Sequence, residues 1–298
     1  MAKGVEVKTT DNLVSDIYAL MESKDADPSV DVEQEIERFG EGVKALMRTE
    51  FGREKREDNR KLRLSNIGRT DRYLWNHYNG TDKEEIQPHT YVKFMYGHLI
   101  EEMLIFLTRM AGHTVTDEQK VCKVDGIVGH MDCSIDGIVT DVKSASSFGF
   151  KKFKDGSLVH DDPFGYIDQI KAYAHACGET KVGWLAMDKA NGHLTYLKYD
   201  LVDDVLPTHQ KLKVPITDRI EHIKALVLGP EPTEYCHEPI PDGKSGNMKL
   251  ATGCSYCQFK EHCYPEMRVF SYAYGPKYLC KVVNEPRVRE FVLDETGF

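Results

Sequence analysis

Residues 129–146, GHMDCSIDGIVTDVKSAS, put two aspartates and a lysine where a half-buried hairpin should carry core side chains. Asp136-Gly137 between two β-rich runs signals a two-residue turn. With those two residues as the loop, Asp132 sits directly opposite Asp141, and His130 opposite Lys143. Met131, Cys133, Ile135, Ile138 and Val142 then form a core face, with Thr140 as its one polar member. Opposed side chains in such a pair have Cβ atoms roughly 5 Å apart, and like charges there are destabilising. Two carboxylates that close must raise one pKa or hold a cation between them. A divalent ion is the simplest answer, because Mg²⁺ and Mn²⁺ prefer carboxylate oxygens. The plain alternative is a pair of surface acids beside a turn, so the rest of the chain has to decide.

The elements that would carry these residues can be read along the chain. Helices are expected over 11–23 and 32–51. The stretch 90–112 predicts a long helix: Val92, Met95, Leu99, Met103, Phe106 and Met110 recur at helical spacing, and Gly112 suits the position just past its end. Strands follow at 119–125 and in the two hairpin arms. Residues 146–162, rich in Lys, Phe and Gly, read as a loop. A helix over 164–177 is marked by Asp162 as cap, Pro163 in the first turn and Gly178 at the exit. Strands at 181–188 and 193–200 are joined by a turn at 189–192, and helices fill 201–228. This order describes an α/β core with a central mixed sheet flanked by helices. It divides into a helical N-terminal region with a basic segment (1–88), a core (89–228) and a Cys-rich C-terminal region (229–298).

Composition narrows the function classes. The 298 residues are 41% hydrophobic and 29% charged, ordinary values for a globular chain. No apolar run approaches the ~20 residues of a membrane span, and no signal-peptide core opens the chain, so a cytoplasmic protein without membrane partners is expected. Net charge is −9, but residues 44–72 hold ten Lys/Arg against five Asp/Glu. That block, which includes Arg69 and Arg72, could track a phosphate backbone or be a solvated helix face.

Four short motifs stand in a telling order: Glu101 in GHLIEE, Asp132 in GHMD, Asp141 to Lys143 in DVK, and Gln169 to Tyr173 in QIKAY. In this the chain resembles the PD-(D/E)XK nucleases, and within them the RecB-type exonucleases and the related CRISPR-adaptation nucleases, phage versions included. The likeness covers about 90–200 and extends more loosely to the C-terminal cysteines. It implies a restriction-endonuclease-like core, dependence on Mg²⁺ or Mn²⁺, and hydrolysis of phosphodiester bonds. Glu101, Asp132, Asp141 and the Val142 carbonyl would be metal ligands, with Glu102 the alternative to Glu101. Lys143 would orient the attacking water or stabilise charge on the phosphate. Gln169 and Tyr173, at i, i+4 on one helix face, would border the site.

Beside that likeness, Lys151, Lys152 and Lys154 alternate with Phe148, Phe150 and Phe153, a mix suited to single-stranded nucleic acid. Aromatics tucked into the core under a solvated loop are the alternative. Cys254, Cys257 and Cys263 form a C-x2-C-x5-C run, and clustered thiolates suggest a metal needing a fourth ligand. In the resembled family a [4Fe–4S] cluster takes that ligand from a cysteine near the N-terminus, in a G-x-C-x-R context. Here the matching stretch, IGRTDRYLW, has Thr70 at that place. Cys236, or else His237, His262 or Cys280, would then complete either a zinc or an iron–sulfur site that staples the tail. Cys122, Cys133 and Cys177 read as core residues.

The expected activity is thus a metal-dependent DNA exonuclease acting in recombination, repair or phage genome processing on single-stranded DNA or duplex ends. A structure- or site-selective endonuclease and a non-catalytic nucleic-acid-binding module are the rivals. The chain carries no G-x-x-x-x-G-K-[ST] run, so any motor would come from a helicase or recombination partner.

Overall fold

The computed structural model describes residues 8–52, 60–202, 214–273 and 275–291. Residues 53–59 of the basic block and 203–213 of the expected helical stretch lie outside them. Four helices open the chain: α1 (Leu13–Ser23), α2 (Val32–Phe51), α3 (Asp71–Asn79) and α4 (Pro88–Met110). Pro88 stands in the first turn of α4, and Gly112 past its end takes φ +85°, which a side chain would strain.

Five strands follow: β1 (Val115–Thr116), β2 (Val121–Val124), β3 (Ile127–His130), β4 (Cys133–Ile135) and β5 (Ile138–Ala145). After them come α5 (Ser147–Lys154), α6 (Tyr166–Cys177), β6 (Lys181–Asp188), β7 (Leu194–Asp200) and α7 (Ile216–Leu226). The central sheet has the order β1-β4-β5-β6-β7, with β5 and β6 parallel and the other pairs antiparallel. It is the expected mixed sheet between helices. Ile100, Leu104 and Ile105 of α4 join Leu13 and Ile17 of α1 on one face. On the other, α6 and α7 bury Ile167, Ile170, Tyr173, Ile220 and Ile223. The interior strand β6 is buried along almost its whole length, as a strand covered on both faces must be.

The Asp136-Gly137 turn forms as its residue types dictate. Both positions take positive φ, and the register pairs Cys133 with Thr140 and Ile135 with Ile138. Asp136 is held there by the Thr114 N–H (3.0 Å) and by His113 Nδ1 (2.8 Å).

The first arm differs from the expectation of a single strand. Asp125-Gly126 makes a second two-residue turn, also at positive φ, so β2 and β3 close their own hairpin. His130 therefore pairs with Val121 rather than facing Lys143. The chain bends at Met131–Asp132, and Met131 packs with α6 on the opposite side of the sheet from Cys133, Ile135 and Val142. Thr140 is buried as expected and bonds the Tyr196 hydroxyl at 2.9 Å.

Two further expectations change. The Lys/Phe stretch is the helix α5, because Ser146 caps the Gly149 amide and Phe150 and Phe153 share one buried face. Helix α6 begins at Tyr166, leaving Pro163 outside its first turn. Asp162 still caps it, accepting from the amides of Gly165, Tyr166 and Ile167 at 2.9–3.0 Å.

The C-terminal region carries its own sheet of five short strands, β8 (Ile240–Pro241), β9 (Met248–Lys249), β10 (Arg268–Tyr272), β11 (Gly275–Lys281) and β12 (Glu290–Phe291). Its hydrophobic cluster is small: Leu250, Cys254 and Met267 with a few half-buried neighbours.

Candidate active site

Asp141 and Lys143 lie two apart on β5, so both project to the α6 side of the sheet. Asp141 is 2% exposed, and its Oδ1 accepts from Lys143 Nζ (2.7 Å) and from Gln169 Nε2 (3.2 Å). Its Oδ2 is buried without a hydrogen-bond partner. Burial, reinforced by the charge of Asp132 and opposed by Lys143, pushes Asp141 up to about 7. Burial works against the Lys143 ammonium, but Asp141 and Asp132 outweigh it and keep the lysine protonated above its ordinary range.

Asp132 stands just before β4, where the ladder has stopped, and its Oδ2 accepts the Val142 N–H at 2.7 Å. The amide and carbonyl of one strand residue point to the same side. The Val142 carbonyl therefore faces the gap left by the end of β4. Glu101 arrives from α4, in the other helical layer. Burial, then the charge of Asp132, raises it to about 8. Glu102 points elsewhere: its carboxylate lies against Gly42 of α2 and among Arg109 and Glu118. The structure thereby separates the two glutamates that the sequence left open.

Tyr173 packs one turn from Gln169 with its hydroxyl buried, and burial raises its pKa. Leu64, with the Tyr173 ring behind it, explains the glycine of GHMD. A Cβ on Gly129 would come within 2.7 Å of Leu64 Cβ and 3.1 Å of the Tyr173 ring.

One contributor escaped the sequence reading. Gln119 donates its side-chain amide to Glu101 Oε1 (2.9 Å) and its backbone N–H to the Asp132 carbonyl (3.0 Å). It does so at φ +51°, uncommon for a residue with a side chain. A lone glutamine in a strand leader gives no signal in sequence.

The cysteines gather elsewhere. Cys236, Cys254, Cys257 and Cys263 line one small cavity of about 20 Å³, together with Arg69, Thr70, Tyr73 and His237. Thr70 thus reaches the same wall as the four thiols. Burial and the neighbouring cysteines push Cys254 up to about 12, and burial lifts Cys257 to about 11. His262 pairs with Glu231, and Cys280 donates to the Met248 carbonyl.

Among the described residues no group of three or more His, Cys, Asp or Glu side chains is arranged to hold a metal ion as it stands. The donor chemistry nevertheless fits one at each place. The first combines mutually repelling carboxylates with an unpartnered buried oxygen. The second gathers four thiols around one small cavity, where burial and the neighbouring cysteines oppose ionisation of Cys254.

The basic side chains separate into two groups. Lys151 and Lys154 are exposed on α5, whereas Lys152 pairs with Asp161 at 2.6 Å. Arg72 is mostly buried against Glu231 (2.8 Å) and the Thr233 carbonyl, tying α3 to the Cys-rich region. Arg69 lies over the rings of Tyr73 (4.2 Å) and Phe164 (5.5 Å). Among the described residues no helix is long and apolar enough to cross a membrane.

No family model and no curated protein matches the chain. Solved structures that share part of its shape include LHK-Exo in complex with dAMP, at 14% identity and TM-score 0.38, covering 57% of this chain and 91% of that one. The alkaline exonuclease LHK-Exo from Laribacter hongkongensis matches with 14% identity, TM-score 0.37 and coverages of 57% and 90%. The protein SSO0001 matches with 14% identity, TM-score 0.38 and coverages of 73% and 91%. Scores this low leave the function to be read from the side chains of the site.

Proposed function

We propose that the protein is a metal-dependent deoxyribonuclease of the exonuclease type, working through Glu101, Asp132, Asp141 and Lys143. The observation that carries this reading is the buried, unpartnered Oδ2 of Asp141 among three carboxylates offset by one ammonium. A buried carboxylate oxygen left unpaired is costly, and a divalent cation would relieve both the orphan and the net negative charge. Mg²⁺ or Mn²⁺, when bound, would neutralise charge on the reacting phosphate and ease deprotonation of the attacking water. Glu101, Asp132, Asp141 and the Val142 carbonyl would hold it.

The chain's own groups divide the remaining work. Lys143, kept protonated by its aspartates, offers positive charge to a phosphate oxygen or orients the water. Gln169 and Lys143 both occupy Oδ1 of Asp141, which leaves Oδ2 as the available donor. Tyr173 borders the site from the same helix. Lys151 and Lys154, just beyond the end of β5, extend the positive charge that a DNA strand would meet.

The four cysteines support a second, structural metal site in the C-terminal region. Four thiolates are the donor set of tetrahedral zinc and of an iron–sulfur cluster alike, and metal analysis of the purified protein separates the two. Cys236 then supplies the ligand that Thr70 cannot.

Cleavage of end-labelled single- and double-stranded DNA, linear and circular, in Mg²⁺, Mn²⁺ or EDTA tests the reading, with Asp141→Ala beside the wild type. Metal-dependent loss of linear DNA with circles spared, absent in the variant, is expected. Cut circles would make the protein an endonuclease, and binding without any cleavage would overturn the hydrolase.

A further inference from the structure

Tyr256 lies between Cys254 and Cys257 in the cysteine turn, and at 74% exposure it is among the most open large side chains of the described residues. Its ring is not isolated. It stands 6.2 Å from Phe164, which stands 5.8 Å from Tyr166, and the Tyr166 ring lies 5.3 Å from Lys143 Nζ. An unbroken row of aromatic side chains therefore runs from the cysteine turn to the lysine of the candidate site. Arg69 adds a cation over Phe164 at 5.5 Å. The rings are tilted to one another, by 59° for Tyr256 and Phe164 and 36° for Phe164 and Tyr166. They do not cover each other's faces as a closed stack would.

The row is built into the backbone. Gly165, between the two inner rings, sits at φ +79° directly against Gly68, and a Cβ on either would fall within 2.6 Å of the other's main chain. Only two glycines permit that approach, and it brings Arg69 over Phe164. The cysteine turn supplies the outer ring, so three segments distant in sequence meet in one row of contacts.

We infer that Tyr256, Phe164 and Tyr166, with Arg69, form a stacking track that leads a single-stranded nucleic acid to Lys143. Aromatic faces and intervening cations match a strand with unpaired bases: the rings stack on the bases and the cations meet the phosphates. A duplex offers no free base faces to such a row. Lys143 at one end makes the track continuous with the site, so the inference rests on the hydrolase reading for its direction but not for its ligand. It also gives the cysteine turn a task beyond stapling the tail, that of holding Tyr256 in line.

The test is fluorescence anisotropy in buffer free of added Mg²⁺ and Mn²⁺ and of chelator, where cleavage is off and the cysteine turn keeps its metal, with a labelled single-stranded DNA oligonucleotide and an abasic strand of equal length. Wild type, Tyr256→Ala, Tyr256→Phe and Phe164→Ala are compared. Each alanine variant should weaken binding of the base-bearing strand roughly five- to tenfold, the lower end for one stacked base. Tyr256→Phe, which keeps the ring, should stay near wild type, and the abasic strand should bind wild type and Tyr256→Ala alike. Unchanged affinity of Tyr256→Ala for the base-bearing strand, or an equal loss on the abasic strand, would overturn the track. A ring-dependent loss in a protein that cleaves nothing in Mg²⁺ would uphold the track and remove the hydrolase. Cleavage with ring-independent binding would do the reverse.

Discussion

The carboxylate site and the cysteine cavity both crowd groups that repel one another when ionised, yet they are supported in opposite ways. Asp141 and Lys143 stand on β5, whose neighbours on both sides are paired and whose two faces are covered by separate hydrophobic clusters. Cys254 and Cys263 stand on four-residue helical turns and Cys236 and Cys257 in irregular chain, over a cluster of three buried residues. The sheet fixes the first set whether or not a cation is bound. The second set has little else to hold it. A metal at the carboxylates should therefore matter for chemistry, and one at the cysteines for folding.

The sharpest way to break that contrast is to remove one member of each set. Asp141→Asn should lower cleavage by roughly 10³-fold or more. Its melting temperature should change little, because Asn keeps an oxygen for the Lys143 and Gln169 contacts while the repulsion from Asp132 and the attraction of Lys143 are lost together. Loss of folding in this variant would mean that the carboxylates are structural. Cys257→Ser should instead release bound metal, read by elemental analysis, and lower Tm by on the order of 5–10 °C. A variant with wild-type Tm and metal content would remove the cysteine site.

Next in size is the response of metal affinity to support from the neighbours. Gln119→Gly relaxes the left-handed backbone while deleting the amide that holds Glu101. Titration calorimetry with Mn²⁺ should find affinity reduced roughly tenfold, with stability unchanged or slightly higher. Equal affinity in the two proteins would mean that Glu101 is not held for a metal.

The smallest effect is in pH. Glu101 and Asp141 are raised in the folded chain to about 8 and about 7. Such groups favour the fold below their unfolded values near 4, and that contribution is lost as pH rises through the folded ones. A divalent ion replaces the departing protons. The Tm gain on adding Mg²⁺ should therefore be small at pH 6 and largest near pH 9, and a gain independent of pH would contradict the coupling.

Part of this molecule was legible residue by residue. Asp136-Gly137 fixed a register because few residue pairs accept positive φ twice in succession. Asp125-Gly126 carried the same signal for the β2–β3 hairpin, and reading it would have kept His130 away from Lys143. Helix α5 gives no comparable signal: its single buried face rests on only Phe150 and Phe153, too short a period to mark a helix.

What the sequence determined by itself was local: turn residues, caps, the i, i+2 pairing of Asp141 with Lys143 and the i, i+4 pairing of Gln169 with Tyr173. These follow from backbone geometry within a few residues. Tertiary structure alone set Glu101 rather than Glu102 near Asp132 and brought Gln119 to Glu101 and the Asp132 carbonyl. It also set Thr70 beside Cys236 and brought Tyr256 to Phe164. Each of those depends on how α3, α4, α6 and the cysteine turn pack across the sheet. That packing is decided by the burial of whole faces rather than by any spacing within one segment.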